Sequence, residues 1–155
     1  MDHFSTLKHA EIFRNMPDED VAKIDALCVE RKFAKEATIM EEGSEGTEFF
    51  ILPGGRVGID VRVGDGVYRQ RAYELMDGDV LGELAIFGHR RSARVRALED
   101  VKLLAIPCAE FKQLLREVPR IGYYTMSNLA SILAERLVMA NIGMQDMMSR
   151  HAGGG

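Results

Sequence analysis

Apolar residues along this chain keep two different rhythms, and the changes between them divide it into three parts. Over the first 29 residues Leu7, Ala10, Ile12 and Phe13 recur at helical spacing. Pro17, followed by Asp18, Glu19 and Asp20, predicts the start of a second helix, since proline suits the first helical position and acidic side chains suit the first turn. In that helix Val21, Ile24, Leu27 and Cys28 share one face.

The middle of the chain changes to a period of two. Val57, Ile59, Val61 and Val63 alternate with Gly58, Asp60 and Arg62, the rhythm of a half-buried strand. Gly64-Asp65-Gly66 predicts a hairpin turn, with residues 67–75 returning antiparallel. Further breaks fall at 43–46, 53–55, 77–79 and Gly88, and residues 93–98 and 101–106 supply two more strands. Short strands punctuated every 8–12 residues predict an antiparallel barrel or sandwich.

From Pro107 the helical period returns, first over 109–118 and then from Pro119 to about Ser149. Thirty helical residues extend about 45 Å, beyond what a small barrel covers. The fold class is therefore α+β: an antiparallel core flanked by N-terminal helices and a long C-terminal helix. Residues 1–150 are expected to form a single domain, with 151–155 a disordered tail.

On the last helix Met126, Ala130, Leu133, Leu137, Ala140, Met144 and Met147 recur in steps of four and three. That is a coiled-coil seam and predicts a parallel homodimer. The alternative is a helix packed on its own barrel with a frayed end.

Composition narrows the function classes. A net charge of −4 lacks the diffuse basic field of a nucleic-acid binder, so a bound anion needs a local site. Cys28 and Cys108 lack metal or redox spacing and fit a reducing cytoplasm. His3, His9 and His151 are scattered, and His89 reads as an exposed loop residue, so no metal centre is expected. No apolar run approaches the roughly 20 residues of a membrane span. The expectation is a soluble, cytoplasmic protein that is not an enzyme.

The candidate chemistry lies between Asp79 and Val95. Gly82 permits a close backbone approach, and residues 83–87 form one turn of helix formers ended by Gly88. The first amides of such a turn lack internal partners and can face an anion. Arg91 can grip two phosphate oxygens with its planar fork, and Ser92 and Ala93 are small enough to leave room for a ligand. Glu83 would repel a phosphate unless a hydroxyl lay between them, as a ribose 2′-OH would. Arg90 and Arg94 read as solvated charges, Arg94 facing away from Ala93 and Val95.

Gly82-Glu83-Leu84-Ala85 followed by Arg91-Ser92-Ala93-Arg94-Val95 resembles the phosphate-binding cassette of the cyclic nucleotide-binding domain family, above all its bacterial catabolite-activator branch. Phe50-Ile51-Leu52 with Gly55-Arg56-Val57 extends the likeness, which runs over roughly residues 10–140. The resemblance implies an eight-stranded β-roll, a jelly-roll-like double-stranded β-helix. It also implies a receptor for cAMP or cGMP that needs no cofactor and couples the ligand to its C-terminal helix. It assigns the ribose 2′-OH to Glu83, the cyclic phosphate to Arg91, and the rest of the cradle to Gly82, Ser92, Ala93 and the amides of Leu84 and Ala85. It places Asn141 where the last helix would touch the base.

Only seven residues separate Glu83 from Arg91, Arg90 replaces the usual proline, Arg94 replaces a small hydroxyl residue, and Glu36 stands where many relatives have glycine. The shortened cassette and Arg94 support an alternative, a ligand-free dimerisation scaffold. Direct DNA binding is not expected, as no recognition helix follows the long helix. A haem sensor would need His, Cys or Met ligands at the pocket.

Overall fold

The computed structural model describes residues 2–64 and 66–152. The chain opens with α1 (His3–His9), a 3-10 turn (Glu11–Phe13) and α2 (Asp18–Asp25). Among the described residues eight strands follow: β1 (Val29–Phe33), β2 (Thr38–Met40), β3 (Glu48–Ile51), β4 (Val57–Gly64), β5 (Val67–Leu75), β6 (Val80–Leu81), β7 (Arg94–Ala97) and β8 (Val101–Pro107). A second 3-10 turn (Glu83–Phe87) separates β6 from β7, and α3 (Cys108–Glu117) and α4 (Pro119–Ala152) close the chain. The strands make two antiparallel four-stranded sheets, ordered β1-β8-β3-β6 and β2-β7-β4-β5. This is the predicted β-roll with flanking helices.

Gly64 pairs with Val67 across the β4–β5 ladder, and the turn expected between them includes Asp65, which lies outside the described residues. Helix α4 runs three residues past Ser149, and the last three residues of the predicted tail lie outside the described residues.

Two cores explain why clear alternation appears only in the second sheet. Inside the roll, Phe50, Leu52, Ile59, Leu81, Val95 and Leu103 face one another. On the opposite face of the first sheet, Phe49, Ile51, Leu104 and Ile106 join residues from the helices. Strands β3 and β8 are thus covered on both faces and read as continuous apolar runs. Phe111 of α3 stacks edge-on against Phe49 at 5.0 Å and tilts against Phe13 at 6.1 Å, joining strand, N-terminus and α3.

The first half of α4 is fixed to the N-terminal helices. Arg120 donates from Nε to Asp20 Oδ2 (2.7 Å) and from Nη2 to Asp20 Oδ1 (2.9 Å) and Glu19 Oε1 (2.6 Å). Asn128 Nδ2 donates to the carbonyls of Ile12 (3.0 Å) and Arg14 (2.9 Å). Ile121, Thr125, Leu129 and Ile132 bury the matching face.

The predicted seam is therefore split. Met126 and Leu133 pack on the chain's own core, whereas Leu137 is 62% exposed. The side chains of Met144 and Met147 lie outside those described. Among the described residues no helix is long and apolar enough to cross a membrane. Glu36 adopts φ +72, the left-handed conformation for which a glycine is the usual choice.

Candidate functional site

The site is built where β6 leaves the roll and β7 enters it. Gly82 takes φ +74 and Gly88 φ +77, so the 3-10 turn between them is bounded by two left-handed glycines. This turn tucks Glu83, Ala85 and Ile86 inward and leaves Phe87 outside. The Ala85 amide donates to the Gly82 carbonyl at 3.2 Å. It is thus engaged within the turn and does not point outward, as the sequence suggested.

Arg91 is buried at 9% exposure and reaches back under the turn. Its Nη1 donates to the Gly82 carbonyl (3.0 Å) and its Nη2 to the Glu48 carbonyl (2.8 Å). Its guanidinium carbon lies 5.9 Å from the centroid of the Phe50 ring. Two glycines make room for it: a Cβ on Gly46 would collide with the guanidinium, and one on Gly82 would come within 2.5 Å of Nη1.

No carboxylate lies within salt-bridge distance of Arg91 among the described residues. Burial pushes its pKa down, opposed by the fields of Cys108, Glu48 and Glu83. The guanidinium is a desolvated cation partnered by neutral carbonyls, which favours the arrival of an anion.

Glu83 is also buried, at 5% exposure, but it is engaged. Arg136 of α4 donates from Nη1 to Glu83 Oε1 (2.5 Å) and from Nη2 to the Val80 carbonyl (2.6 Å). Arg136 was not singled out in the sequence. Its signal is a cation at the next position of the stripe Leu129, Ile132, Leu133, where an apolar residue would otherwise continue the buried face.

All seven cassette candidates, Gly82, Glu83, Leu84, Ala85, Arg91, Ser92 and Ala93, line one cavity of about 500 Å³. That is within the range of about 300–1,000 Å³ common for small-molecule sites. The strands contribute an apolar wall of Met40, Ile59, Leu75, Leu81 and Val95, and α4 contributes Leu133, Arg136, Leu137 and Ala140. Asn141 is exposed and is not part of this lining.

Of the two arginines expected to be solvated, one is not. Arg94 is not a solvated charge: its Nε donates to the fully buried Asp60 (2.9 Å), and its guanidinium carbon stands 4.1 Å from the Tyr68 ring centroid. Asp60 can be buried because two arginines of β7 surround it. Arg90 is exposed, as expected, and bonds the Gly43 carbonyl (3.0 Å) and Glu45 (3.1 Å) at the surface.

With Arg136 paired to Glu83 and Arg90 to Glu45, Arg91 leaves one net positive charge facing the cavity. A cavity of this kind suits a compact monoanion with an apolar body. Among the described residues no cluster of His, Cys, Asp and Glu could hold a metal ion.

Comparison with known proteins agrees with this geometry. The family model described as "Cyclic nucleotide-binding domain" matches residues 30–118, more than half of the chain. Glutaminase 1 of Bradyrhizobium diazoefficiens is 31% identical over 143 residues, a match covering 91% of this chain and only 22% of that protein. The structure of the Thermus thermophilus catabolite activator protein aligns with TM-score 0.73 and 27% identity, over 90% of this chain and 63% of that one. A cyclic nucleotide-binding domain from Methylobacillus flagellatus shares the fold, with TM-score 0.79 at 18% identity over 88% of this chain and 79% of that one. From the buried turn, the facing arginine and these matches together, the chain belongs to the cyclic nucleotide-binding domain family.

Proposed function

We propose that the chain is a receptor module for a 3′,5′-cyclic nucleotide, cAMP by preference, and that ligand occupancy is relayed to α4 through Arg136. The observation that carries this reading is Arg91: a buried guanidinium lining the cavity, bonded to neutral carbonyls and, among the described residues, without a carboxylate partner. In this reading the cyclic phosphate completes the coordination of Arg91. Ser92 donates its hydroxyl to the phosphate, and Gly82 and Ala93 let the sugar approach the backbone.

Glu83 accepts the ribose 2′-OH on Oε2, because Oε1 is held by Arg136. Arg136 also neutralises Glu83, so the phosphate does not meet an uncompensated carboxylate. The Leu84 amide is the donor left for the phosphate, now that Ala85 is engaged. Arg136, and not Asn141, is the polar α4 residue in the cavity lining.

The module is read as regulatory and not catalytic. Its cavity presents one carboxylate, already ion-paired, and no second acid or base among the described lining residues. The glutaminase and the activator protein are both longer than this chain, so the process it regulates is set by whatever it is joined to or assembles with. A parallel homodimer through α4 is supported by the exposure of Leu137, Val138, Met139 and Ile142 at 46–67%. Two free cysteines fit a cytoplasmic setting. The alternative of a ligand-free scaffold draws on that same exposed face and on the short cassette.

A thermal-shift titration separates the two. At ligand concentrations of about 100 times Kd, cAMP should stabilise the fold by about 2.7 kcal/mol. That is roughly 5–11 °C for a chain of this size. 5′-AMP, a dianion lacking the ring phosphate, should do far less. No shift at millimolar cAMP or cGMP would leave the scaffold.

A further inference from the structure

We propose that Asp60 is a positioning residue for the nucleotide site: with Arg94 and Arg96 it sets the register in which β7 delivers Ser92 and Ala93 to the cavity. The inference rests on the receptor reading above and deepens it. Asp60 faces Arg94 directly across the β4–β7 ladder. Its carboxylate is fully buried and accepts from Arg94 Nε on Oδ2 (2.9 Å), from Arg96 Nε on Oδ2 (2.7 Å) and from Arg96 Nη2 on Oδ1 (3.4 Å).

The location of this lock is what gives it consequence. Strand β7 begins at Arg94, so the Asp60–Arg94 pair is the last rung before the cassette. Along the other edge of β7 the pairing with β2 is irregular, with a register shift between Thr38 and Met40. Backbone pairing therefore leaves the entry of β7 weakly specified on that side, and the side chains supply the specification.

A slip of one residue would turn Arg94 and Arg96 toward the apolar interior and take both of these cations away from the buried Asp60 carboxylate. Both are severe penalties, and the observed register avoids them. In that register Ile59 and Val95, the neighbours of Asp60 and Arg94, face inward and line the cavity. Ser92 and Ala93 are then placed two and one residues before the rung. Arg94 is braced further by the Tyr68 ring at 4.1 Å and Arg96 by Glu36 at 3.4 Å.

The test compares two isosteric substitutions at buried carboxylates. Asp60→Asn removes the charge at the lock, and Asp20→Asn removes the one that pairs with Arg120 at the α2–α4 joint, away from the cavity. Titration calorimetry with cAMP and hydrogen exchange of the ligand-free segment 89–96 are read on both. Asp60→Asn should weaken cAMP at least about tenfold and accelerate exchange across 89–96. Asp20→Asn should lower the thermal midpoint while leaving affinity within twofold and that segment unchanged.

Arg94→Thr, which keeps the Asp60–Arg96 bonds, replaces Asp60→Asn should the latter not fold, with the same direction expected. If the native chain binds no cyclic nucleotide, the receptor reading fails, and the exchange measurement still decides the lock. Unchanged affinity and exchange in Asp60→Asn, or equal effects from Asp20→Asn, would overturn the proposal.

Discussion

Replacing Arg136 with methionine removes the link between α4 and the cassette while keeping much of the aliphatic volume. Breaking a buried ion pair by deleting one partner costs about 3–5 kcal/mol when both groups are desolvated. Here the Glu83 side chain is 7% exposed and that of Arg136 28%, so partial solvation lowers the figure to about 2–3 kcal/mol. The Val80 carbonyl also loses its donor. At about 2–4 °C per kcal/mol for a domain of this length, the melting midpoint should fall by roughly 4–12 °C.

Affinity for cAMP should fall as well, because the stranded Glu83 carboxylate would repel the phosphate. A double-mutant cycle isolates the pair: Glu83→Gln should cost little more once Arg136→Met is present, with a coupling energy of about 1–3 kcal/mol. The assays are calorimetric melting and cAMP titration on the four proteins. A midpoint loss under about 2 °C, or a coupling below about 0.5 kcal/mol, would refute the latch.

Gly46→Ala places a methyl against the Arg91 guanidinium and should displace it, weakening cAMP at least about tenfold while overpacking costs about 1–3 kcal/mol of stability in urea unfolding. The Asp20 carboxyl is held below its usual range by hydrogen bonds from Arg120, so its contribution is complete above its unfolded value of about 3.9 and disappears as pH falls through the lower folded value. Asp20→Asn should therefore be less stable than the native chain at pH 7, and the gap should close below pH 4 in acid-unfolding curves. Burial pushes the Cys28 thiol up to about 12 and raises that of Cys108, so neither should react with an aromatic disulfide reagent at pH 8 until the protein is unfolded.

Much of the fold was legible because its signals are local. The alternation from Val57 to Val63, the glycines around residues 83–87 and the acidic start at Asp18 each report a short-range constraint. Arg91 and Glu83 were legible as an odd pair within nine residues. Arg136 was not, because its partner lies 53 positions away and Glu135-Arg136 reads like an ordinary exposed charge pair.

The burial of Asp60 and the engagement of Arg94 are hidden from the sequence for a related reason. Alternation correctly placed them on the outer face of the sheet, but an outer face is solvated only when nothing covers it. Here two arginines and Tyr68 lie over the carboxylate and its neighbour. Gly46 looked like one break among several, and only the position of Arg91 gives it a purpose. The seam on α4 reads as one stripe in the sequence, whereas Asn128 and Arg120 fix its first half to the N-terminus and Leu137 stands exposed.

The central claim is that Arg91 holds the phosphate of a cyclic nucleotide. Titration calorimetry with cAMP on the native chain and on Arg91→Ala measures it without intermediaries. Losing one partner of a buried charge pair costs about 2–5 kcal/mol, so Kd should rise roughly 30-fold to several thousand-fold. Equal affinity in the two proteins, or no heat from the native chain at millimolar cAMP or cGMP, would contradict the account.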